Sequence, residues 1–144
     1  MSYDTIVHVT YRNTTVNLDD KLLFGIGNKV YAVRFEGANA VVGLYISNVN
    51  VGTGNVIGIS QSLFHGSMIY FWVFFKDKAI EYSIPKGSDD YSRRPSATGR
   101  VKEFSQTIRS GFVSDIIENG SSCEADFVVL TEDGKVLTTS TYSN

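Results

Sequence analysis

The sequence is short of the residues from which most catalytic and metal centres are built. It has one cysteine, Cys123, and two histidines, His8 and His65, in 144 residues. A lone cysteine excludes an internal disulfide and a thiolate cluster for zinc. Neither histidine lies in an H-x-x-E-H pattern, and no G-x-S-x-G or P-loop pattern is present. We therefore expect no enzyme, no cofactor and no metal site.

An excess of positive charge is also missing, since the formal net charge is -2. Composition therefore suggests neither a nucleic-acid partner nor adsorption to an anionic membrane. No segment reaches the roughly 18 to 20 apolar residues of a membrane helix, and residues 1–11 lack the basic and apolar regions of a signal peptide. We expect a protein that is cytoplasmic or released without a classical signal peptide.

Proline is scarce, with two residues, whereas glycine occurs thirteen times. Val, Ile, Tyr, Phe and Thr dominate the runs between the glycines, which is a β composition with turns between strands. Strand-like runs recur about every 10 to 14 residues, the spacing expected of a sandwich or a barrel. The sequence predicts one all-β domain over residues 1–144, an antiparallel β-sandwich, with a closed β-barrel as the alternative.

Alternation of side-chain character indicates the individual strands. A first strand is predicted at 4–12, and a pair at 29–37 and 38–51 follows a tight turn at Gly27-Asn28. The runs SMIYFWVFF and KAIEYSIP predict a hairpin, and a last hairpin is predicted around residues 132–135, where Asp-Gly permits the positive φ of a primed turn.

The aromatic run at residues 64–75, FHGSMIYFWVFF, raises the question of a binding platform, a membrane contact or a core strand. Alternation sends Trp72 to one face of this strand and Phe71 to the other, each with further apolar neighbours. Both faces must therefore be covered. We expect a core strand or a subunit interface, and the second possibility predicts at least a dimer.

Residues 86–99, KGSDDYSRRPSATG, form the longest apolar-poor segment and predict a surface loop. Asp89, Asp90, Tyr91, Arg93 and Arg94 combine carboxylates, a phenol ring and two guanidinium groups there. Sugars are recognised by such mixtures, because their hydroxyls both donate and accept hydrogen bonds and charged partners strengthen those bonds. The alternative is a solvated connection without a ligand.

Residues 1–13, MSYDTIVHVTYRN, are similar to the opening of the fungal fruit-body lectins. RVKEFSQTI at 100–108 resembles their basic stretch before a Tyr-bearing strand, and EADF at 124–127 resembles their Glu-Ala-Asn. Their aromatic-rich His-Asn-Tyr-Lys-Arg-Trp-Cys run has no counterpart at 47–51. The resemblance implies an actinoporin-like sandwich, sugar binding and a homo-oligomer, and it extends the family's sugar site only to Asn48 and Arg100.

We therefore predict a lectin that binds glycans or glycoconjugates without transforming them and gains avidity as a dimer or tetramer. One alternative is a membrane-active, pore-forming or cytolytic β-sandwich. Another is a structural or coat-like interaction module. The predicted ligand-binding residues are Asn48, Asn50, Asp89, Asp90, Tyr91, Arg93, Arg94 and Arg100.

Overall fold

The computed structural model describes residues 17–18, 21–36, 38–46, 54–60, 63–85, 94–119 and 122–141. Within these residues all the regular secondary structure consists of β-strands, and there is no helix. The first sheet has the order β1 (Asn17–Leu18), β2 (Lys21–Ile26), β3 (Lys29–Glu36) and β4 (Asn39–Ile46). The second sheet contains β5 (Gly58–Ile59), β6 (Leu63–His65), β7 (Met68–Phe74), β8 (Lys78–Pro85) and β9 (Ser96–Glu103). The third sheet contains β10 (Ile108–Asn119), β11 (Ser122–Thr131) and β12 (Val136–Ser140).

The second sheet packs between the other two. Its order is β5-β7-β8-β9, with β6 also paired to β7, and that of the third sheet is β10-β11-β12. All strand pairs are antiparallel. The predicted all-β sandwich is confirmed, and none of the three sheets closes into a barrel within the described ranges.

One face of β7 packs on the first sheet. Ile69, Phe71, Val73 and Phe75 are fully or almost fully buried in a cluster with residues of β2, β3 and β4. Tyr82 of β8 belongs to the same cluster, and its ring stacks on that of Phe71 at 6.0 Å between centroids. This face is therefore an apolar core.

The other face of β7 packs on the third sheet. Trp72 and Phe74 lie in a second cluster with Ile108, Val113 and Phe127. The Trp72 ring meets Phe127 edge-on, with centroids 5.0 Å apart and an interplanar angle of 88°. The predicted division of the aromatic run between two covered faces is confirmed.

Both faces of β7 are thus covered by the chain itself. The sequence analysis treated this double apolar character as a reason to expect a second subunit. That reason does not hold, because the first and third sheets supply the cover. The oligomer stays a prediction without this support.

The predicted tight turns take the conformations that their glycines allow. Gly27 has a φ of 61° in the turn that joins β2 to β3, and Gly134 has a φ of 89° between β11 and β12. Positive φ costs glycine little because it has no Cβ. The hairpin of β7 and β8 is also confirmed, with Phe74 opposite Ala79.

The predicted surface loop at 86–99 is wrong at its end. Residues 96–99 already belong to β9, which lies at the edge of the second sheet. Backbone hydrogen bonds to β8 hold this segment, so it forms a strand although Ala97 is the one apolar residue within 96–99. The predicted first strand at 4–12 lies outside the described residues.

Candidate functional site

A β-bulge in β9 brings polar side chains together on the face toward the third sheet. The register of β9 against β8 shifts at Glu81, which stands alone against residues 98–100. Gly99 has a φ of 95° in the middle of this bulge. Bulges re-aim the side chains on either side of the extra residues. Here they turn Thr98 and Arg100 toward Glu81.

Glu81 is a buried carboxylate, with 3% of the residue exposed. The Thr98 hydroxyl donates a hydrogen bond of 2.7 Å to Glu81 Oε1, and Arg100 Nη1 lies 3.6 Å from Glu81 Oε2. Burial raises the pKa of Glu81 above its ordinary value of 4.5, and the Thr98 hydrogen bond and the Arg100 charge partly oppose that rise. Two groups therefore hold the carboxylate in place.

Arg100 also contacts the tryptophan ring. Its Cζ lies 5.7 Å from the centroid of Trp72, within the range of a cation–π contact. The Trp72 backbone is held in turn by Ser60, whose Oγ accepts from Trp72 N and whose N donates to Trp72 O, both at 2.8 Å. The Arg100 side chain is 34% exposed. Its contacts with Trp72 and Glu81 therefore hold it in position while part of it reaches solvent.

A cleft of about 1040 Å³ lies beside this cluster, between β9 and β12. These strands are the edges of the second and third sheets. Arg100 and Lys102 lie two residues apart on β9, so they share a face, and Lys102 lines the cleft. The lining residues are Lys78, Val101, Lys102, Glu103, Phe104, Ser105, Gln106, Ile108, Val129, Leu137, Thr138, Thr139 and Thr141.

Phe104, one of the residues that line the cleft, also packs against the aromatic core. Phe104 stacks on Phe74 with centroids 6.3 Å apart and planes within 3°. Its ring also meets Phe127 edge-on at 6.3 Å, and Phe127 contacts Trp72. One set of packed rings therefore supports both the cleft and the Arg100 cluster.

Backbone hydrogen bonds tie the rim of the cleft to two neighbouring turns. Phe104 N donates to Asp77 O at 2.9 Å, and Ile108 N donates to Lys76 O at 2.8 Å, both in the turn between β7 and β8. Glu132 N, in the turn between β11 and β12, donates to Thr107 O at 3.1 Å. Sites held by such a frame are more precise than sites on free loops.

Two of the predicted site residues lie in the described part of the chain. Arg94 is exposed just before β9, and Arg100 lies in the cluster with Glu81 and Trp72. His65, whose role the sequence left open, ends β6 opposite Met68 and is half-buried. The other predicted residues lie outside the described residues and stay predictions; they are Asn48, Asn50, Asp89, Asp90, Tyr91 and Arg93.

The sequence analysis missed Lys102 and the threonines of β12. One signal was available, because β9 alternates Thr98, Arg100 and Lys102 on a single face, and a polar face turned toward a core is unusual. The Thr-Thr-Ser run that ends β12 was a second signal, since hydroxyl side chains on both faces fit an edge strand. What joins the two strands is their position at neighbouring sheet edges, which no local pattern reports.

The described residues contain no group of three or more His, Cys, Asp or Glu side chains that could hold a metal ion. Over the same ranges no helix has the length and apolar character needed to cross a bilayer. No protein-family model, curated protein or solved structure matches the chain. The resemblance to the fungal fruit-body lectins therefore stays a prediction, and a functional proposal must rest on the geometry of the site.

Proposed function

We propose that the protein is a carbohydrate-binding protein that acts without catalysis, and that the cleft between β9 and β12 is its sugar site. One observation carries the proposal: residues with hydroxyl, amide, ammonium and carboxylate groups line a single cleft together with the aromatic ring of Phe104. Sugar hydroxyls donate and accept hydrogen bonds, while sugar C–H faces pack on rings such as that of Phe104. Such a mixed lining suits a sugar better than a wholly apolar ligand.

The composition of the lining favours binding over glycoside hydrolysis. Hydrolysis of a glycosidic bond generally uses two carboxyl groups about 5 to 10 Å apart. Among the described residues that line the cleft, Glu103 supplies the single carboxylate. Glu81, the neighbouring buried carboxylate, is engaged by Thr98 and Arg100. A binding site without turnover is consistent with both features.

Self-association, for avidity, is part of the proposal. The described surface with the most exposed large apolar side chains is the outer face of the third sheet, where Phe112 is 51% and Val136 is 66% exposed. The strand register places Val128 opposite Phe112 and Leu130 opposite Val136, so the four share one face. This outer patch favours self-association, and it also favours a structural or coat-like module as the second candidate function.

A glycan array followed by calorimetric titration of the best ligand tests the sugar site. Gln106→Ala and Thr139→Val each remove one hydrogen-bonding group from the lining, so each should weaken binding by about 0.5 to 1.5 kcal/mol. Thr107→Val is the matched control, because Thr107 is exposed beside the cleft but does not line it. A protein that binds no glycan on the array is not a lectin.

Two further measurements separate the rival functions. Dye leakage from liposomes without glycan binding would support the membrane-active alternative. Sedimentation velocity of the wild type and of Phe112→Ser tests the outer patch, since loss of an exposed apolar ring should shift an oligomer toward monomer. Assembly without glycan binding or leakage would support the structural module.

A further inference from the structure

The cleft between β9 and β12 has two ends, and the ladder of the third sheet separates them. On β12 the lining begins at Leu137, which stands opposite Val129. It extends to Thr141, whose N donates to Ala125 O at 3.0 Å, so the pairing with β11 continues to this residue. A strand rises about 3.3 Å per residue, so about 13 Å separate Leu137 from Thr141. The cleft extends at least this far along β12.

Ser105 and Gln106 lie at the end of the cleft next to the turn between β11 and β12, which we call the turn end. The neighbouring Thr107 holds them there, because its carbonyl oxygen accepts a hydrogen bond of 3.1 Å from Glu132 N in that turn. Ser105 and Gln106 are both exposed and line the cleft, and Phe104 lines it beside them. A hydroxyl, an amide and an aromatic residue at this end suit one sugar ring.

Thr141 lies at the opposite end of the cleft, which we call the far end. Its Oγ1 accepts a hydrogen bond of 3.3 Å from Ala125 N. A hydroxyl has one donor and two acceptor sites, so this bond leaves the O–H group of Thr141 able to donate to a ligand. The far end therefore offers a hydrogen bond to a second sugar ring.

The stretch between the two ends carries most of the apolar residues of the lining. Val129 and Leu137 line it from the third sheet, next to Thr138 and Thr139, and Val101 lines it from β9. Val101 is 50% exposed, so its side chain is accessible to a ligand. Apolar side chains pack on the C–H faces of sugar rings, while the ends supply hydrogen bonds. The lining therefore suits a chain of rings laid along the cleft.

The charges of the described lining residues are compensated within the protein. Lys78 stands opposite Glu103 in the ladder of β8 and β9, so their charges offset each other. Lys102 is 8% exposed and already interacts with another group of the chain. A charged ligand would lose its hydration here without gaining an uncompensated partner, which is costly. The cleft therefore favours a neutral ligand.

We propose that the cleft binds neutral linear oligosaccharides of at least two rings, with one ring at the turn end and another at the far end. This inference rests on the proposed sugar-binding function and adds the ligand class to it. Pockets for drug-sized ligands hold about 300 to 1,000 Å³, and this cleft of about 1040 Å³ has room for more than one ring. A single pyranose ring is too short to reach both ends, so a monosaccharide makes only part of the available hydrogen bonds.

Calorimetric titration with homologous series tests the dependence on chain length. The probes are malto-, cello-, laminari- and manno-oligosaccharides, each from the monosaccharide to the hexasaccharide. In the series that binds, the trisaccharide should bind at least about tenfold more tightly than the monosaccharide, because two hydrogen bonds at a second ring contribute about that much. The affinity should level off once the chain fills the cleft. Trigalacturonate, the charged comparison, should bind no more tightly than the neutral trisaccharide.

Gln106→Ala at the turn end and Thr141→Val at the far end test whether the two ends hold different rings. Each should weaken binding of the trisaccharide about three- to tenfold. The two losses should multiply in the double variant, because sites more than about 10 Å apart act independently. At most one of the two variants should weaken binding of the monosaccharide. Thr141→Ser keeps the hydroxyl, so it is the matched control and should bind like the wild type.

Thermal unfolding checks the Thr141→Val variant, because Ala125 N loses its acceptor there. If that variant does not fold, the chain-length series decides the inference by itself. Equal affinity for the monosaccharide and its longer homologues overturns the inference but leaves the sugar site. Tighter binding of trigalacturonate overturns the neutral ligand class. A protein that binds no member of these series and no glycan on the array overturns the proposed function as well.

Discussion

The two faces of the second sheet differ in chemistry although the same strands build them. The face toward the first sheet is lined by aliphatic and aromatic side chains, with the Tyr82 hydroxyl as its polar tip. The face toward the third sheet holds the aromatic rings beside a buried carboxylate, a guanidinium and a buried lysine. We call them the apolar face and the mixed face.

This difference indicates that the two faces of the sheet have different roles. Apolar side chains that are wholly removed from water stabilise the fold, because burial contributes roughly 25 cal/mol per Å². Buried polar groups contribute little net stability and are often kept for specificity or function. The apolar face is therefore the part that keeps the chain folded, and the mixed face is the part where we expect recognition.

The largest effects should come from Phe71→Ala and Trp72→Ala, which remove neighbouring rings from opposite faces. Each should lower the free energy of unfolding by about 3 to 5 kcal/mol, because each leaves a large cavity. Phe71→Ala should leave the glycan affinity of the folded fraction unchanged. Trp72→Ala should also weaken it, because Arg100 loses the ring that positions it.

Denaturant titration and calorimetry on the same samples make this comparison. A midpoint for Trp72→Ala near that of the wild type would contradict its burial at 5% exposure. Equal loss of glycan affinity in both variants would show that the two faces are not functionally distinct.

Gly25→Ala and Gly111→Ala probe how tightly each face is packed. A Cβ on Gly25 would lie 2.5 Å from Val56 Cγ1, which belongs to the apolar cluster, whereas a Cβ on Gly111 would lie 3.0 Å from the Phe74 ring in the mixed cluster. Overpacking costs about 1 to 3 kcal/mol. We expect the loss of stability to be at the upper end of this range for Gly25→Ala and at the lower end for Gly111→Ala.

Thermal unfolding of both variants and a double-mutant cycle with Val56→Ala check this prediction. Val56→Ala should cost less in the Gly25→Ala background than in the wild type, because the clash is relieved. Additive effects would show that the first sheet shifts to accommodate the methyl group.

Glu81→Gln should change the pH dependence of stability. Because burial raises the pKa of Glu81 in the folded protein, the protonated group contributes stability that is fully present below its ordinary value of 4.5 and is lost as the pH rises through the folded-state pKa. The stability of the wild type relative to Glu81→Gln should therefore fall as the pH rises above 4.5 and through the folded-state pKa.

Urea titrations across this range, with Glu132→Gln at an exposed turn as the matched control, measure the difference. A constant gap between wild type and Glu81→Gln would mean that Thr98 and Arg100 fully offset the burial of the carboxylate.

The smallest effect is expected for Arg94→Ala, outside both faces. Arg94 is exposed, so its removal should change the free energy of unfolding by less than about 0.5 kcal/mol. If the cleft is the sugar site, glycan affinity should also stay unchanged. A tenfold loss of affinity at unchanged stability would instead place recognition in the predicted loop at 86–99.

Much of the fold was predictable because strand periodicity is local. Alternation in KVYAVRFE and KAIEYSIP located β3 and β8, and Gly27 and Gly134 marked turns through a conformation that glycine adopts at low cost. The end of the loop at 96–99 was mispredicted for the same reason. An edge strand held by backbone hydrogen bonds has no apolar alternation to detect.

The candidate site was only partly predictable. Arg100 was chosen from a family resemblance, while Lys102, Gln106 and the threonines of β12 were not considered. These residues line one cleft because the edges of two separate sheets lie side by side, with β9 and β12 more than 30 residues apart along the chain. Contacts between residues so far apart in sequence leave no trace in the local pattern of either strand.

By itself, the sequence determined that both faces of β7 must be covered, because side chains alternate across a strand and here both sets are apolar. Only the tertiary structure decided what covers them, namely the first and third sheets of the same chain instead of a second subunit. The physical reason is that alternation shows which side chains must be removed from water, but not what removes them. Any apolar surface of complementary shape can cover them. The position of the cleft was also decided only by the tertiary structure, through the packing of the third sheet against the mixed face.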